Sequence, residues 1–250
     1  MATWLDGSKV STGRSCVDRR DADGLRGWLE GFGDDGAKRL KALNERDEDG
    51  RTMLHWAATT GDVRIVEILL KYDAKIDVSD EEGTTVLHSA CACDHEKVVR
   101  LLLDKLAVDN GDAAVQKLVR AGTSSKITAL HYAAGRGNVM LIQLLAQAQA
   151  KINAGDKYGN TPLFRAVGKN HNEAASLLIS LGADVERENK AGDTVMHIAC
   201  ENGNDRIVRQ LIDLNGMELL EVQNEDKKTP LDVVDTNYKK QLIMFLQGGG

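Results

Sequence analysis

The stretch RTMLHWAATTG, residues 51–61, sets a histidine beside a tryptophan in front of a run of small residues. A catalytic histidine is normally singular, whereas a structural one can recur. Aligned on the threonine, Thr52-Met-Leu-His55 is followed by Thr85-Val-Leu-His88, Thr128-Ala-Leu-His131, Thr161-Pro-Leu-Phe164, Thr194-Val-Met-His197 and Thr229-Pro-Leu-Asp232. The successive threonine spacings are 33, 43, 33, 33 and 35 residues. Four of the six histidines therefore hold one position just after a helix start. There the threonine hydroxyl and the imidazole can hydrogen-bond backbone groups that a helix terminus leaves without partners. These histidines read as structural, and His95 and His171, near second-helix starts, read as ordinary surface residues.

A period near 33 headed by T-x-L-H-x-A resembles the ankyrin repeat family, in which each unit is a turn plus two antiparallel helices. Each unit continues accordingly, as in Gly61-Asp-Val-Arg-Ile-Val-Glu-Ile-Leu-Leu70, with apolar residues at helical spacing. Such a unit cannot bury its apolar stripe alone and must stack on its neighbours. The expected fold is all-α, an ankyrin-repeat solenoid of about seven helix-turn-helix repeats with β-hairpin or turn fingers.

Residues 1–18 show no clear periodicity and read as a flexible leader. Segment 19–49 reads as a degenerate first repeat anchored by Leu25, Trp28, Leu29, Phe32, Leu40 and Leu43. Further repeats are placed near 50–82, 83–125, 126–158, 159–191 and 192–226, with a C-terminal cap at 227–247 and a tail at 248–250. The 43-residue spacing implies about ten extra residues between Leu103 and Lys126, a loop or lengthened helix at one edge of the stack. With both ends capped, a monomer is expected.

The net charge of −6 argues against a general nucleic-acid binder, which needs a basic face. No apolar run approaches the roughly 18 residues that span a bilayer, and the first residues lack the apolar core of a secretory signal. Cys16, Cys91, Cys93 and Cys200 are too few and too irregular for a disulfide framework. They read as reduced thiols, which fits the cytoplasm and leaves the nucleus open. Phosphate-loop, zincin, serine-hydrolase and paired C-x-x-C motifs are absent. Acidic runs such as Asp47-Glu-Asp49 and Asp80-Glu-Glu82 recur in register with the repeats and lack the ligand spacing of a calcium loop. Neither an enzyme nor a metal or cofactor is expected. An active site in the insertion would have to use Asp109, Asp112, Lys117 and Arg120, which show no evident geometry.

A binding role then rests on the variable positions of the fingers and first helices. These give Glu48, Asp49 and Arg51, then Glu81 and Glu82, then Lys157, Tyr158 and Asn160, then Lys190 and Asp193, with Arg136 and Lys169 on first helices. The pattern is acidic toward the N-terminus and more basic in the middle, which would orient a partner of opposite pattern. Trp56 reads either as a partner anchor or as a side chain packed on the neighbouring repeat or the leader.

The segment Arg51-Thr52-Met53-Leu54-His55-Trp56-Ala57 is further similar to the R-T-x-L-H-W-A segment of the gankyrin family of proteasome regulatory-particle assembly chaperones. Leu130–Ala134 and Lys228–Val233 fit the same pattern. The resemblance implies a concave face that clamps the C-terminal domain of a proteasomal ATPase subunit through alternating charges, with Asp49, Arg51, Glu81 and Arg136 keeping the expected sign. The insertion and the leader depart from that pattern. A generic ankyrin adaptor for a kinase, transcription factor or ubiquitin ligase is the alternative.

Overall fold

Repeats of this length predict two layers of short helices, and a computed structural model shows them over residues 8–234 and 236–247. The chain divides into two compact units, Met1–Ser124 and Ser125–Gly250. In the first unit, helices α1 (Ser8–Asp18), α4 (Met53–Thr60) and α6 (Val86–Ala92) form a first-helix layer. Helices α2 (Ala22–Glu30), α5 (Val63–Lys71) and α7 (Glu96–Asn110) form a second, and α3 (Gly36–Leu43) and α8 (Asp112–Val119) are additions. Helix α4 packs on α1 and α6, and α5 on α2 and α7.

The second unit repeats the scheme with α9 (Ala129–Arg136), α11 (Pro162–Gly168) and α13 (Val195–Glu201) in the first layer. Its second layer holds α10 (Val139–Gln147), α12 (Asn172–Ser180) and α14 (Asp205–Asn215), followed by a 3-10 turn and α15 (Thr236–Gln247). Among the described residues there is no strand, only isolated bridge residues such as the antiparallel pair Ser79 and Thr85. The expected all-α repeat fold is the fold observed.

Side-chain size explains the layering. First helices pack closely because they bury small residues such as Ala57, Ala58, Ala90, Ala133 and Ala134 without exposure. Second helices bury Ile65, Val66 and Leu69, or Leu141, Ile142 and Leu145, which supply most of the apolar area removed from water. Asp62, Asn138 and Asn204 cap second helices by accepting amide hydrogen bonds in the first turn.

Each recurrent histidine closes a capping box whose reciprocal acceptor is an imidazole instead of the usual carboxylate. The amides of Thr52, Thr85, Thr128 and Thr194 donate to Nδ1 of the histidine three residues on, at 3.2, 3.1, 3.1 and 3.1 Å. A ring nitrogen that accepts an amide proton carries none itself, so the proton sits on Nε2. From there His55 donates to the Thr84 carbonyl at 3.1 Å, His131 to Asn160 at 3.0 Å and His197 to Lys228 at 3.0 Å. One residue thus ties a helix start to the following finger. Where Phe164 replaces histidine, the buried Thr161 hydroxyl has no hydrogen-bond partner among the described residues.

His95 and His171 are not the ordinary surface residues that the sequence suggests. They stand at the N-termini of α7 and α12, half-buried, and Nε2 of each bonds backward to the carbonyl of Thr59 or Gly135 at 3.0 and 3.1 Å. Each ring lies where a Cβ on Gly61 or Gly137 would fall, so glycine and histidine act as a pair.

The segment read as a leader is helical from Ser8 to Asp18, and α1 pairs with α2 as the first helix pair of the unit. Its apolar pattern is weak because it docks through smallness. Gly13, Cys16 and Val17 are buried, and a Cβ at Gly13 would come within 2.9 Å of the Trp28 ring. Of the anchors assigned to segment 19–49, Leu25, Trp28, Leu29 and Leu43 are buried, while Leu40 is exposed. The extra residues after Leu103 extend α7 to Asn110 and, past a turn at Gly111, build α8. Residues 1–7 and the tail at 248–250 lie outside the described residues.

Burial makes the boxes of His55 and His131 sensitive to acid. Desolvation, offset in part by the Thr84 or Asn160 carbonyl, holds His55 and His131 below the ordinary value of 6.5. Between the folded and unfolded values the unfolded chain binds more protons, so stability falls as pH drops below about 6.5. Each histidine contributes at most about 1.4 kcal/mol per pH unit across that window. Urea midpoints should fall steadily between about pH 7 and pH 5, and a flat profile there contradicts the neutral buried imidazoles.

Candidate protein-binding face

The finger aspartates are structural, and this fixes which neighbours point outward. Asp47 Oδ1 accepts the amides of Asp49 and Arg51 at 3.1 and 2.9 Å, and Asp80 Oδ1 those of Glu82 and Thr84 at 3.0 and 2.7 Å. Asp156 does the same for Tyr158 and Asn160 at 2.8 and 3.0 Å. The tips carrying Glu48, Asp49, Glu81 and Glu82 are left exposed. Glu81 donates its amide to the Asp49 carbonyl at 3.0 Å, which puts the two acidic tips side by side. Glu82 also accepts the Ser124 hydroxyl at 2.7 Å.

Arg51 and Trp56 are engaged within the first unit. Arg51 pairs with the buried carboxylate of Asp80 at 3.1 Å and lies 5.1 Å from the Trp56 ring centroid. The indole donates to Asp47 Oδ2 at 2.8 Å, while the Arg14 guanidinium of α1 covers the ring at 3.5 Å. Of the readings open for Trp56, packing against the segment before residue 19 is the one the geometry has. Partial burial pushes the Asp47 carboxyl upward, but the Trp56 indole, two backbone amides and the Arg14 charge outweigh it and hold the group below its ordinary value.

In the second unit the first-helix layer opens into a groove of about 400 Å³ among α9, α11 and α13. Arg136 and Lys169 line it, as do Tyr132, Phe164, Arg165 and Ile198 around the backbone of Gly135 and Gly168. Lys157 and Tyr158 lie outside it, on the finger before α11, where the Lys157 ammonium stands 5.0 Å from the Tyr158 ring and Tyr158 remains 57 % exposed. No carboxylate lines the groove, and its one histidine, His131, is buried with both ring nitrogens bonded. Arg165 pairs with the buried Asp156 at 2.7 Å and keeps its Nε without a hydrogen-bond partner among the described residues. Cationic groups above an apolar floor suit capture of an anionic ligand more than bond-breaking chemistry.

Sequence reading found Arg136 and Lys169 and missed Tyr132, Arg165, Ile198 and the two glycines. A signal was available, since Tyr132, Arg165 and Ile198 occupy the position after the histidine that Trp56 occupies in its own repeat. Among the described residues no cluster of histidine, cysteine and carboxylate groups is placed to hold a metal ion. No helix among them is long and apolar enough to cross a membrane. The four cysteines are free thiols. Burial pushes Cys200 up to about 12 and raises Cys91 as well, so neither is an activated nucleophile.

Known proteins agree with this architecture. The family profile "Ankyrin repeats (3 copies)" matches residues 31–110 and 105–189, and "Ankyrin repeat" matches 191–221. The human protein phosphatase 1 regulatory subunit 27 is 36 % identical over 121 residues, 48 % of this chain and 56 % of that protein. The chain thus spans only about half the length of that relative. Among solved structures, the ankyrin repeat domain of Bcl-3, a member of the IkappaB family, superposes with a TM-score of 0.74 at 26 % identity, covering 93 % of this chain and 97 % of that one. The human ASB11 ankyrin repeat domain reaches the same TM-score of 0.74 at 20 % identity, covering 93 % and 96 %, a likeness of fold. With the recurrent Thr–His boxes, the stacked helix pairs and profile matches over more than half its length, the chain belongs to the ankyrin repeat family.

Proposed function

We propose that the protein is a non-enzymatic binding module that recruits a protein partner through its finger tips and first-helix layer. The carrying observation is the division of labour within each repeat. Conserving the helix boxes and finger turns uses Thr, His, Asp and Gly, while the remaining positions project charge, acidic at Asp49 and Glu81 and cationic at Arg136 and Lys169. Each of these charged sets, the acidic one in the first unit and the cationic one in the second, would bias the orientation and on-rate of a partner segment of opposite charge.

Two partner classes compete within this reading. The sequence resemblance to the gankyrin family supports a chaperone that holds the C-terminal domain of a proteasomal ATPase subunit and blocks premature docking. The exposed tips of Asp49 and Glu81 and the groove position of Arg136 suit that role, while Arg51 is partly spent on Asp80. The relative among phosphatase regulatory subunits supports recruitment of a phosphatase. Affinity capture with the tagged chain from extract at low and high salt, read by mass spectrometry, separates them. Proteasomal ATPase subunits retained at low salt and lost at high salt are the expected result. Phosphatase catalytic subunits in their place transfer the assignment, and capture of neither at either salt removes both partners.

A further inference from the structure

We infer that the groove among α9, α11 and α13 holds an extended segment of the partner protein in which two acidic residues bracket a bulky apolar one, with the apolar side chain seated over Gly135 and Gly168. The inference rests on the protein-binding reading and names the chemistry of the segment bound.

The two glycines carry the argument. Four residues after the histidine position, the other first helices have Thr59, Ala92 and Glu201, whereas α9 and α11 have Gly135 and Gly168. Neither glycine has a positive φ, so the backbone does not require it. A Cβ at Gly135 would meet nothing nearer than Arg165 at 4.0 Å, and one at Gly168 nothing nearer than Ile198 at 3.8 Å. The fold therefore leaves the space above them empty although a methyl group would fit there. Tyr132, Phe164 and Ile198 wall that space with apolar surface, which suits one large hydrophobic side chain.

Charge fixes the flanks. Arg136 and Lys169 sit one position beyond the glycines on adjacent helices, both exposed. Packed helices lie about 8–10 Å apart, and the long arginine and lysine side chains can splay beyond that to the roughly 13 Å spanned by four residues of extended chain at about 3.3 Å each. Side chains of an extended chain alternate between faces, so acidic residues four apart face both cations while the apolar residue midway between them, on the same face, enters the slot. A nucleic acid would also supply anions, but it offers no branched apolar group for the slot, and the chain as a whole carries −6.

The test is fluorescence anisotropy of the full chain with a fluorescein-labelled peptide containing Glu-Ala-Leu-Ala-Glu. Controls are the same peptide with both glutamates changed to glutamine, the peptide with leucine changed to alanine, and a labelled single-stranded DNA. Binding of the parent peptide is expected, weakened roughly three- to tenfold by the glutamine peptide and by Lys169→Glu, since each alters exposed ion pairs. Gly168→Leu should fill the slot and remove binding. If its circular dichroism melt shows a lost fold, Gly168→Ala, which narrows the slot, takes its place. Equal affinity for the glutamine peptide, no effect of filling the slot, no binding of any peptide, or preference for DNA would overturn the inference. Affinity capture repeated with Lys169→Glu keeps the two levels apart, because a partner still retained leaves the binding module standing and removes only this groove.

Discussion

Replacing His131 by alanine is expected to lower stability by about 2–4 kcal/mol, because it strips buried polar groups of their partners and opens a cavity. The imidazole is 2 % exposed, accepts the Thr128 amide at 3.1 Å and donates to the Asn160 carbonyl at 3.0 Å. Alanine leaves the Thr128 amide without its acceptor inside a packed layer and detaches the start of α9 from the next finger. His131→Phe keeps the volume and reproduces the arrangement at Phe164, so it should cost less than the alanine variant. Urea unfolding followed by both circular dichroism and fluorescence gives the free energies and shows whether the array unfolds as one transition. A loss below about 1 kcal/mol for His131→Ala would mean that the imidazole only fills space.

Gly192→Ala is expected to cost about 3 kcal/mol or more for the addition of one methyl group. The residue has φ +73°, where a side chain costs roughly 1–2 kcal/mol, and the new Cβ would stand 2.6 Å from the Glu225 amide nitrogen and 3.0 Å from the Asn224 Cα. Those atoms cannot retreat freely, since Glu225 donates its amide to the Ala191 carbonyl at 3.0 Å and the Asn224 side chain bonds Asp193 at 2.7 Å. Moving the fingers apart breaks both bonds. Thermal melts against Gly168→Ala provide the contrast, because there the methyl enters open space at the last residue of α11 and should leave stability unchanged or raise it by up to about 1 kcal/mol. Similar melting for the two variants would show that the fingers are not packed as described.

The repeat fold was legible because its period is written in residues whose roles are local. Thr52, His55 and Gly61 each serve a helix terminus, so the threonine recurs in all six aligned units, the histidine in four and the glycine at Gly137 and Gly203. Helix α1 was not legible, since it docks through Gly13 and Cys16 and shows no apolar stripe. The length of the insertion was plain, but its conversion into a longer α7 and a separate α8 depends on Leu106, Val115 and Leu118 finding burial. The candidate groove was half legible. Arg136 and Lys169 announce themselves by charge, whereas Gly135 and Gly168 matter through side chains they lack, which means nothing until the neighbouring helices are placed. The stretch behind the narrower chaperone resemblance shows the same effect. Arg51 bonds Asp80, Thr52 bonds His55 and Trp56 bonds Asp47, so much of that stretch encodes how a repeat holds its neighbour.

The direction of the imidazole bonds also orders the chain in time. His55, His131 and His197 each wait for a carbonyl about thirty residues downstream, at Thr84, Asn160 and Lys228. His95 and His171 reach back to carbonyls already made, at Thr59 and Gly135. As the chain leaves the ribosome, a second helix that starts with histidine can lock onto its predecessor at once, while a first helix stays unfinished until the next finger emerges. The repeats headed by His55, His131 and His197 are therefore each completed by the finger synthesised after them, and a nascent chain stopped before that finger ends in a repeat that is still open.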